Sequence, residues 1–88
     1  MEVTFDKSFS KSLDKINDKA ILKKIEKIIL QCENAKDLNQ ISNLKKMVGF
    51  KNYYRIKSGD YRIGVAIIDQ TLDFIVIAHR KDIYNRFP

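Results

Sequence analysis

Cysteine, histidine, proline and glycine are all scarce in this sequence, and each shortage excludes a class of protein. The single cysteine, Cys32, permits no internal disulfide, which excludes a disulfide-stapled mini-protein. The single histidine, His79, is too little for a metal cage built from several Cys or His ligands, so we expect no metal centre and no cofactor. One proline and three glycines are too few for a fibrous or low-complexity chain.

Long hydrophobic runs are missing as well. No apolar stretch approaches the roughly 20 residues that a transmembrane helix needs. The charged N-terminus lacks the apolar core of a secretion signal, so we expect a cytoplasmic protein without membrane contact. Of the 88 residues, 44% are hydrophobic and 32% charged, and we expect residues 1–88 to form a single domain with its own core.

Positive charge is concentrated in the second half of the chain. Residues 1–42 carry eight lysines against seven acids, whereas residues 43–88 carry nine lysines or arginines against four acids. All the arginines lie in that second half: Arg55, Arg62, Arg80 and Arg86. Because the planar guanidinium group suits bidentate phosphate contacts, this distribution favours a nucleic acid or another polyanion as a partner.

The first third of the chain shows one strand pattern and two helix patterns. Val3 and Phe5 alternate with polar residues, as in a short strand with one apolar face. Ser8 is expected to cap a short helix, and Asp18 a second one. Residues 21–32 carry apolar side chains at helical spacing, so the two helices are expected to form an antiparallel hairpin.

The rest of the chain is dominated by strand patterns. Residues 34–52 show no clear period and are expected to connect the helices to the sheet. Residues 53–68 alternate around a tight turn, which predicts a β-hairpin, and residues 72–78 are apolar enough for a central strand. Residues 79–88 leave the sheet as a short helical tail. The fold class is therefore α+β, with the helical hairpin packed on a mostly antiparallel four-stranded sheet in the order β-α-α-β-β-β.

The predicted hairpin register gathers cations on one face. If residues 59–60 form a two-residue loop, Lys57 lies opposite Arg62 and Arg55 opposite Gly64. The other face then receives only apolar side chains and suits cover by the helices. Like charges directly opposite each other are destabilising, so stability alone would not favour Lys57 facing Arg62. Gly64 would leave a shallow floor beside the cations where a nucleotide could approach.

Three chemically capable side chains follow the last strand. His79, Arg80 and Tyr84 are expected at the rim of the sheet, with Asp82 as the only local acid for Arg80. An exposed ion pair of that kind contributes about 0–1 kcal/mol, so charge pairing would not explain Arg80. Further cations of this half are candidate RNA-binding residues: Lys45, Lys46, Lys51 and Lys81.

Two segments together resemble a known family. The runs YYRIKSGDYRIGVAI and FIVIAHRKDIYNRF are similar to the sheet and tail of RelE-type toxins of the RelE/ParE superfamily, the toxins of type II toxin–antitoxin pairs. The resemblance implies a ribosome-dependent mRNA endonuclease that cleaves without metal. It also implies a cognate antitoxin as partner, in a toxin–antitoxin hetero-oligomer, with the ribosome and mRNA as further partners.

The resemblance also implies roles for individual residues. Carried over by position, it assigns the two basic residues of the first hairpin strand to Arg55 and Lys57, the grip on the scissile phosphate to Arg62, the basic residue after the last strand to Arg80, and the C-terminal tyrosine, which stacks on or orients a base, to Tyr84.

Metal-free RNA cleavage needs a base for the 2′-hydroxyl, cations for the phosphorane and an acid for the departing 5′-oxygen. Lys57 is the candidate base, because crowding by Arg55 and Arg62 favours its neutral amine. The same two arginines would hold the phosphate oxygens. His79 and Arg80 both remain candidates for the acid.

Two other functions fit the same patterns. A ParE-like toxin of this fold would inhibit DNA gyrase and needs no nuclease residues, and the basic residues and tail argue against it. A non-catalytic module would bind RNA or DNA without cutting it.

Overall fold

The computed structural model describes residues 1–88 as two helices against one sheet. The elements are β1 (Glu2–Phe5), α1 (Lys7–Asp14), α2 (Lys19–Asn34), β2 (Leu44–Lys46), β3 (Tyr53–Ser58), β4 (Tyr61–Ile68) and β5 (Thr71–His79), with single 3-10 turns at Leu38–Gln40 and Ile83–Asn85. None of the helices combines the length and apolarity needed to cross a membrane.

The helices begin at aspartate caps. Asp18 accepts hydrogen bonds from the backbone N–H groups of Ala20 and Ile21, which confirms the predicted cap of α2. The predicted Ser8 cap of α1 is wrong, because Asp6 holds that position and its carboxylate accepts from the Ser8 N–H at 3.1 Å. An aspartate two residues earlier competes with serine for the same free N–H groups.

The sheet has five strands in the order β1-β5-β4-β3-β2. All neighbours are antiparallel except β1 and β5, which run parallel, so the α+β class and the mostly antiparallel sheet are confirmed. The expected count of four strands is wrong. The additional strand, β2, lies in the segment predicted to be a connection, and its three residues are too few to show a period of two.

The main core fills the space between the helices and one face of the sheet. Phe9 of α1, Ile25 and Cys32 of α2 pack there with apolar side chains of the three central strands, among them Ile56, Ile63, Val65, Leu72 and Phe74. A smaller cluster covers the opposite face, where Ile83 and Phe87 of the C-terminal tail, residues 80–88, pack on Val76 and Ala78 of β5. Strand β5 is therefore covered on both faces, as its continuous apolar run predicts.

A β-bulge in β5 sets which side chains face which layer. Gly64 pairs with Val76 and Val65 pairs with Phe74, so Ile75 is the extra residue in β5. Phe74 and Ile77, three residues apart, both join the main core, whereas Ile75 packs against the tail cluster.

Candidate nucleic-acid interface

Four cations gather on the sheet face that the helices leave free. In the hairpin, Lys57 pairs with Arg62 and Arg55 with Gly64, which confirms the register predicted from the turn. Gly59 has the positive φ of 58° that the turn requires. Strand β2 then adds Lys45, which pairs with Arg55. Since directly paired residues share a face, Lys45, Arg55, Lys57 and Arg62 form one basic surface.

These four cations line an open cleft of about 470 Å³, here called the basic cleft. Asn43, Leu44 and Tyr84 complete its lining, and no acidic residue contributes. A cleft with several cations attracts anions, and without a carboxylate in its lining no acidic side chain of the cleft competes with a bound anion for those cations. The geometry is therefore suited to the phosphates of a nucleic acid.

Arg62 is held in a fixed orientation by the hairpin turn. Its Nη1 atom donates to the carbonyl oxygens of Gly59, at 2.8 Å, and Tyr61, at 2.9 Å. These bonds occupy one of its three nitrogen atoms and leave the other two for a ligand. Pre-positioning of this kind lowers the entropic cost of gripping a phosphate.

Tyr84 lies against Arg55 at the edge of the basic cleft. The guanidinium carbon of Arg55 is 5.3 Å from the centre of the Tyr84 ring, and the tyrosine is 73% exposed. Hydrogen bonding by Arg55, and then its charge, lower the pKa of the Tyr84 phenol; desolvation opposes them, and the charges of Arg62 and Lys45 add smaller contributions that also lower it. The phenol is thus accessible to a ligand and more acidic than that of free tyrosine.

The expected open floor at Gly64 is wrong. Phe87, only 3% exposed, lies over Gly64 and packs on Tyr53 with ring centres 5.1 Å apart. The missing side chain of Gly64 therefore accommodates an aromatic ring of the protein's own tail. Phe87 donates its backbone N–H to the Ile83 carbonyl at 2.9 Å, which fixes the turn that carries Tyr84.

His79 and Arg80, the two sequence candidates for the acid, do not line the basic cleft. His79 pairs with Tyr61 and packs edge-on against its ring at 5.9 Å, and its Nδ1 atom accepts from the backbone N–H of Lys81. The Nε atom of Arg80 lies 3.8 Å from an Asp60 carboxylate oxygen, so its acidic partner is Asp60 and not the expected Asp82. The hairpin turn brings Asp60 to the end of β5, where Arg80 also donates its backbone N–H to the Asp60 carbonyl.

The four additional lysines separate into one that belongs to the cleft and three that do not. Lys45 lines the cleft, whereas the Lys46 Nζ atom donates to the Phe50 carbonyl at 2.7 Å. Lys51 borders a different, partly apolar groove, and Lys81 lies exposed in the turn after β5.

Sequence reasoning missed Asn43 and Leu44. Asn43 has a positive φ of 62°, a conformation that asparagine tolerates better than most residues, and its carbonyl accepts from the Lys57 N–H. The Ser42-Asn43 dipeptide was an available signal for a turn before a strand.

Comparison with known proteins decides the family. A family model described as the ParE toxin of the type II toxin–antitoxin system parDE matches residues 3–84. The chain belongs to the RelE/ParE toxin family. Toxin RelE3 of Methanocaldococcus jannaschii is 43% identical over 89 residues, with 100% of both chains covered. The RelE-type resemblance of the sequence is thereby confirmed.

Solved structures of the family share the fold. The toxin of the RelB–RelE antitoxin–toxin complex from Methanococcus jannaschii matches with a TM-score of 0.83 at 41% identity, covering 97% of this chain and 99% of the other. The isolated RelE toxin of E. coli matches with a TM-score of 0.66 at 20% identity, covering 96% and 90%. The second match concerns the fold alone.

Proposed function

We propose that this RelE/ParE-family toxin is a metal-independent endoribonuclease that cleaves mRNA on the ribosome and so inhibits translation. The observation that carries the proposal is the basic cleft, where four cations and an acidified tyrosine meet without a carboxylate. Structural stability does not explain Lys57 directly opposite Arg62, whereas phosphate binding does.

The cleft supplies each group that the cleavage requires. Lys57 accepts the proton of the 2′-hydroxyl, whose oxygen attacks the adjacent phosphorus. Arg55 and Arg62 hold the non-bridging oxygens as negative charge builds in the phosphorane. The bond from phosphorus to the 5′-oxygen then breaks, leaving a 2′,3′-cyclic phosphate and a 5′-hydroxyl end.

We assign the proton for the departing 5′-oxygen to Tyr84. Its phenol borders the cleft and has a lowered pKa, whereas His79 packs on Tyr61 outside the cleft and Arg80 is paired with Asp60. The exposed ring also stacks on a nucleobase, which orients the RNA for the transfer.

The ribosome supplies the orientation that an open cleft lacks. In-line attack needs the 2′-oxygen, the phosphorus and the 5′-oxygen to be aligned, and correct positioning of reacting groups contributes about 7–11 kcal/mol to such reactions. A shallow cleft does not impose that alignment on flexible RNA. The toxin therefore acts in the compartment that contains ribosomes, the cytoplasm, and cleaves free RNA slowly or not at all.

A cognate antitoxin controls the activity. The related Methanococcus jannaschii toxin was solved in complex with RelB, and the uncompensated charge of the basic cleft favours a partner that lays acidic side chains on it. Binding should weaken as salt rises and should protect the cleft or the tail from hydrogen exchange. Protection confined to the outer face of α2, with the sheet face and the tail exchanging freely, would contradict this mode of inhibition.

Two parallel assays test the nuclease function. Purified toxin is added to translating ribosomes, where the mRNA should acquire new 5′-hydroxyl ends, and to DNA gyrase, where supercoiling should continue unchanged. Because the matching family model is described as the ParE toxin, gyrase inhibition is the main competitor. Inhibited supercoiling with intact mRNA would establish that alternative, and RNA binding without either effect would establish a binding module.

A further inference from the structure

A second groove opens beside the basic cleft, between α2 and the β3–β4 turn, and is here called the side groove. It has a volume of about 370 Å³. Its helix side presents Lys24 and Lys27, and its sheet side presents Asn43, Lys57, Ser58 and Gly59. No acidic residue lines it.

The side groove continues the basic cleft. Both depressions are lined by Asn43 and Lys57, so an extended ligand can pass from one to the other along Lys57. The two together present six cations, and each of them projects from a helix or strand.

The helix side of the groove is fixed to the sheet side by hydrogen bonds. Gln31 of α2 donates its side-chain amide to the Ser42 hydroxyl at 3.0 Å and accepts from the Ser42 backbone N–H at 3.3 Å. The next residue, Asn43, accepts from the Lys57 N–H at 3.2 Å. Lys24 and Lys27, three residues apart on one helix face, are therefore held beside Lys57.

These lysines are not neutralised within the protein. Neither lysine forms a salt bridge, since the salt bridge of this structure joins Arg80 to Asp60 of the β3–β4 turn. Like charges gathered along a groove are unfavourable in the isolated protein, and a bound anion offsets that cost.

We propose that the side groove holds the sugar–phosphate backbone of the single-stranded message next to the scissile phosphate, with Lys24 and Lys27 as phosphate-binding residues. This inference rests on the proposed function, since the basic cleft is taken to hold the scissile phosphate. Binding in the groove is not sequence-specific, because cationic contacts to phosphate position an RNA without distinguishing its bases.

The test compares two double variants of the same helix. Lys24→Ala/Lys27→Ala removes the groove cations, and Lys19→Ala/Lys23→Ala removes equal charge from exposed positions that line neither depression. Each full-length protein is titrated with a fluorescent single-stranded RNA whose 2′-O-methyl groups prevent cleavage, over a range of salt concentrations. A stable RNA hairpin of equal length is titrated in parallel.

The groove variant should bind the single strand on the order of tenfold more weakly at about 50 mM salt, and its salt slope should fall by up to ~1.4, since a single strand releases ~0.7 counterion per neutralised phosphate. The matched variant should stay near wild type. Equal losses in the two variants, unchanged binding in the groove variant, or no RNA binding by wild type would each overturn the proposal. A loss confined to the hairpin would assign the groove to structured ribosomal RNA and overturn it too.

Cleavage on ribosomes is scored separately for wild type. If the salt slopes behave as expected but wild-type toxin cuts no mRNA, the nuclease proposal fails while the groove stands as an RNA-binding site. If wild type cuts mRNA and the groove variant matches its control in binding, only the groove fails.

Discussion

The ring of Phe87 lies so close to the backbone of Gly64 that a Cβ atom on residue 64 would stand 2.5 Å from the Phe87 Cγ atom. Phe87 reaches Gly64 because the C-terminal tail crosses this face of the sheet. The turn at Ile83–Asn85 in the same tail carries Tyr84 towards Arg55. The backbone of Gly64 does not have a positive φ, so its conformation does not require glycine. Glycine is required here because an aromatic ring occupies the space of a side chain. The position of Tyr84 in the basic cleft therefore depends on a contact that involves neither Tyr84 nor RNA.

Gly64→Ala should reduce activity by displacing the tail. The new methyl group and the Phe87 ring cannot occupy the same space, so Phe87 leaves its site and Tyr84 loses its position. A misplacement of about 1 Å can cost up to ~10²-fold in rate. Cleavage on ribosomes measures the loss, and hydrogen exchange of residues 80–88 should become faster.

Phe87→Ala provides the matched variant for this contact. If both changes act through the same contact, the double variant should lose no more activity than the more damaged single variant. Additive losses would show that Gly64 and Phe87 act separately.

Arg62→Ala should lose roughly 10²–10³-fold in cleavage rate, as expected for a lost donor to a developing oxyanion. Stability should change little, because the Gly59 carbonyl that Arg62 holds is exposed and the Tyr61 carbonyl is only partly buried, so water can replace the lost donor. Arg86→Ala is the control, since it removes an exposed arginine that does not line the basic cleft. Near-native cleavage by folded Arg62→Ala would place the active site elsewhere.

Arg55→Gln should raise the pKa of Tyr84 towards the ordinary tyrosine value of about 10. Arg55 favours the phenolate by hydrogen bonding and by charge, and glutamine removes the charge. If Tyr84 donates its proton in catalysis, activity is present while the phenol is protonated and falls as pH rises through its pKa. The alkaline limb of the wild-type profile should therefore move to higher pH in Arg55→Gln.

Carbon-13 NMR of ring-labelled tyrosine measures this pKa directly, and Tyr84→Phe assigns the signal. Lys51→Gln removes equal charge from a residue outside the basic cleft and should leave the titration unchanged. An unshifted Tyr84 titration in Arg55→Gln would show that another group sets its acidity.

Cys32 should be inert towards thiol reagents in the folded protein. Its side chain is fully buried in the main core, and desolvation raises the pKa of the thiol to about 11. The reactive thiolate is therefore scarce near neutral pH, and reagent access is blocked. Labelling should occur only through unfolding, so its rate should increase steeply with urea. Rapid labelling in native buffer would contradict the packing of α2.

The sequence predicted those parts of the fold that depend on local periodicity. The stripe on α2 and the alternation around Gly59 are strong local signals, and the alternation alone predicts that Arg55, Lys57 and Arg62 share one face, as the structure confirms. Phe87 on Gly64 and Arg80 beside Asp60 are contacts between segments about twenty residues apart. No local pattern encodes such contacts, because they depend on where the finished sheet directs the tail.

The bulge at Ile75 acts as a change of phase within β5. Counted strictly by twos from Phe74, Ile77 and His79 would face the tail, and Val76 and Ala78 would face the helices. The extra residue reverses this assignment, so Ile77 reaches the main core and the imidazole of position 79 stays away from the face that carries the basic cleft. Deleting Ile75 would leave every later side chain of β5 on its present side of the sheet. Regular pairing of all nine residues of β5 would instead move the side chains after the bulge to the opposite face of the sheet.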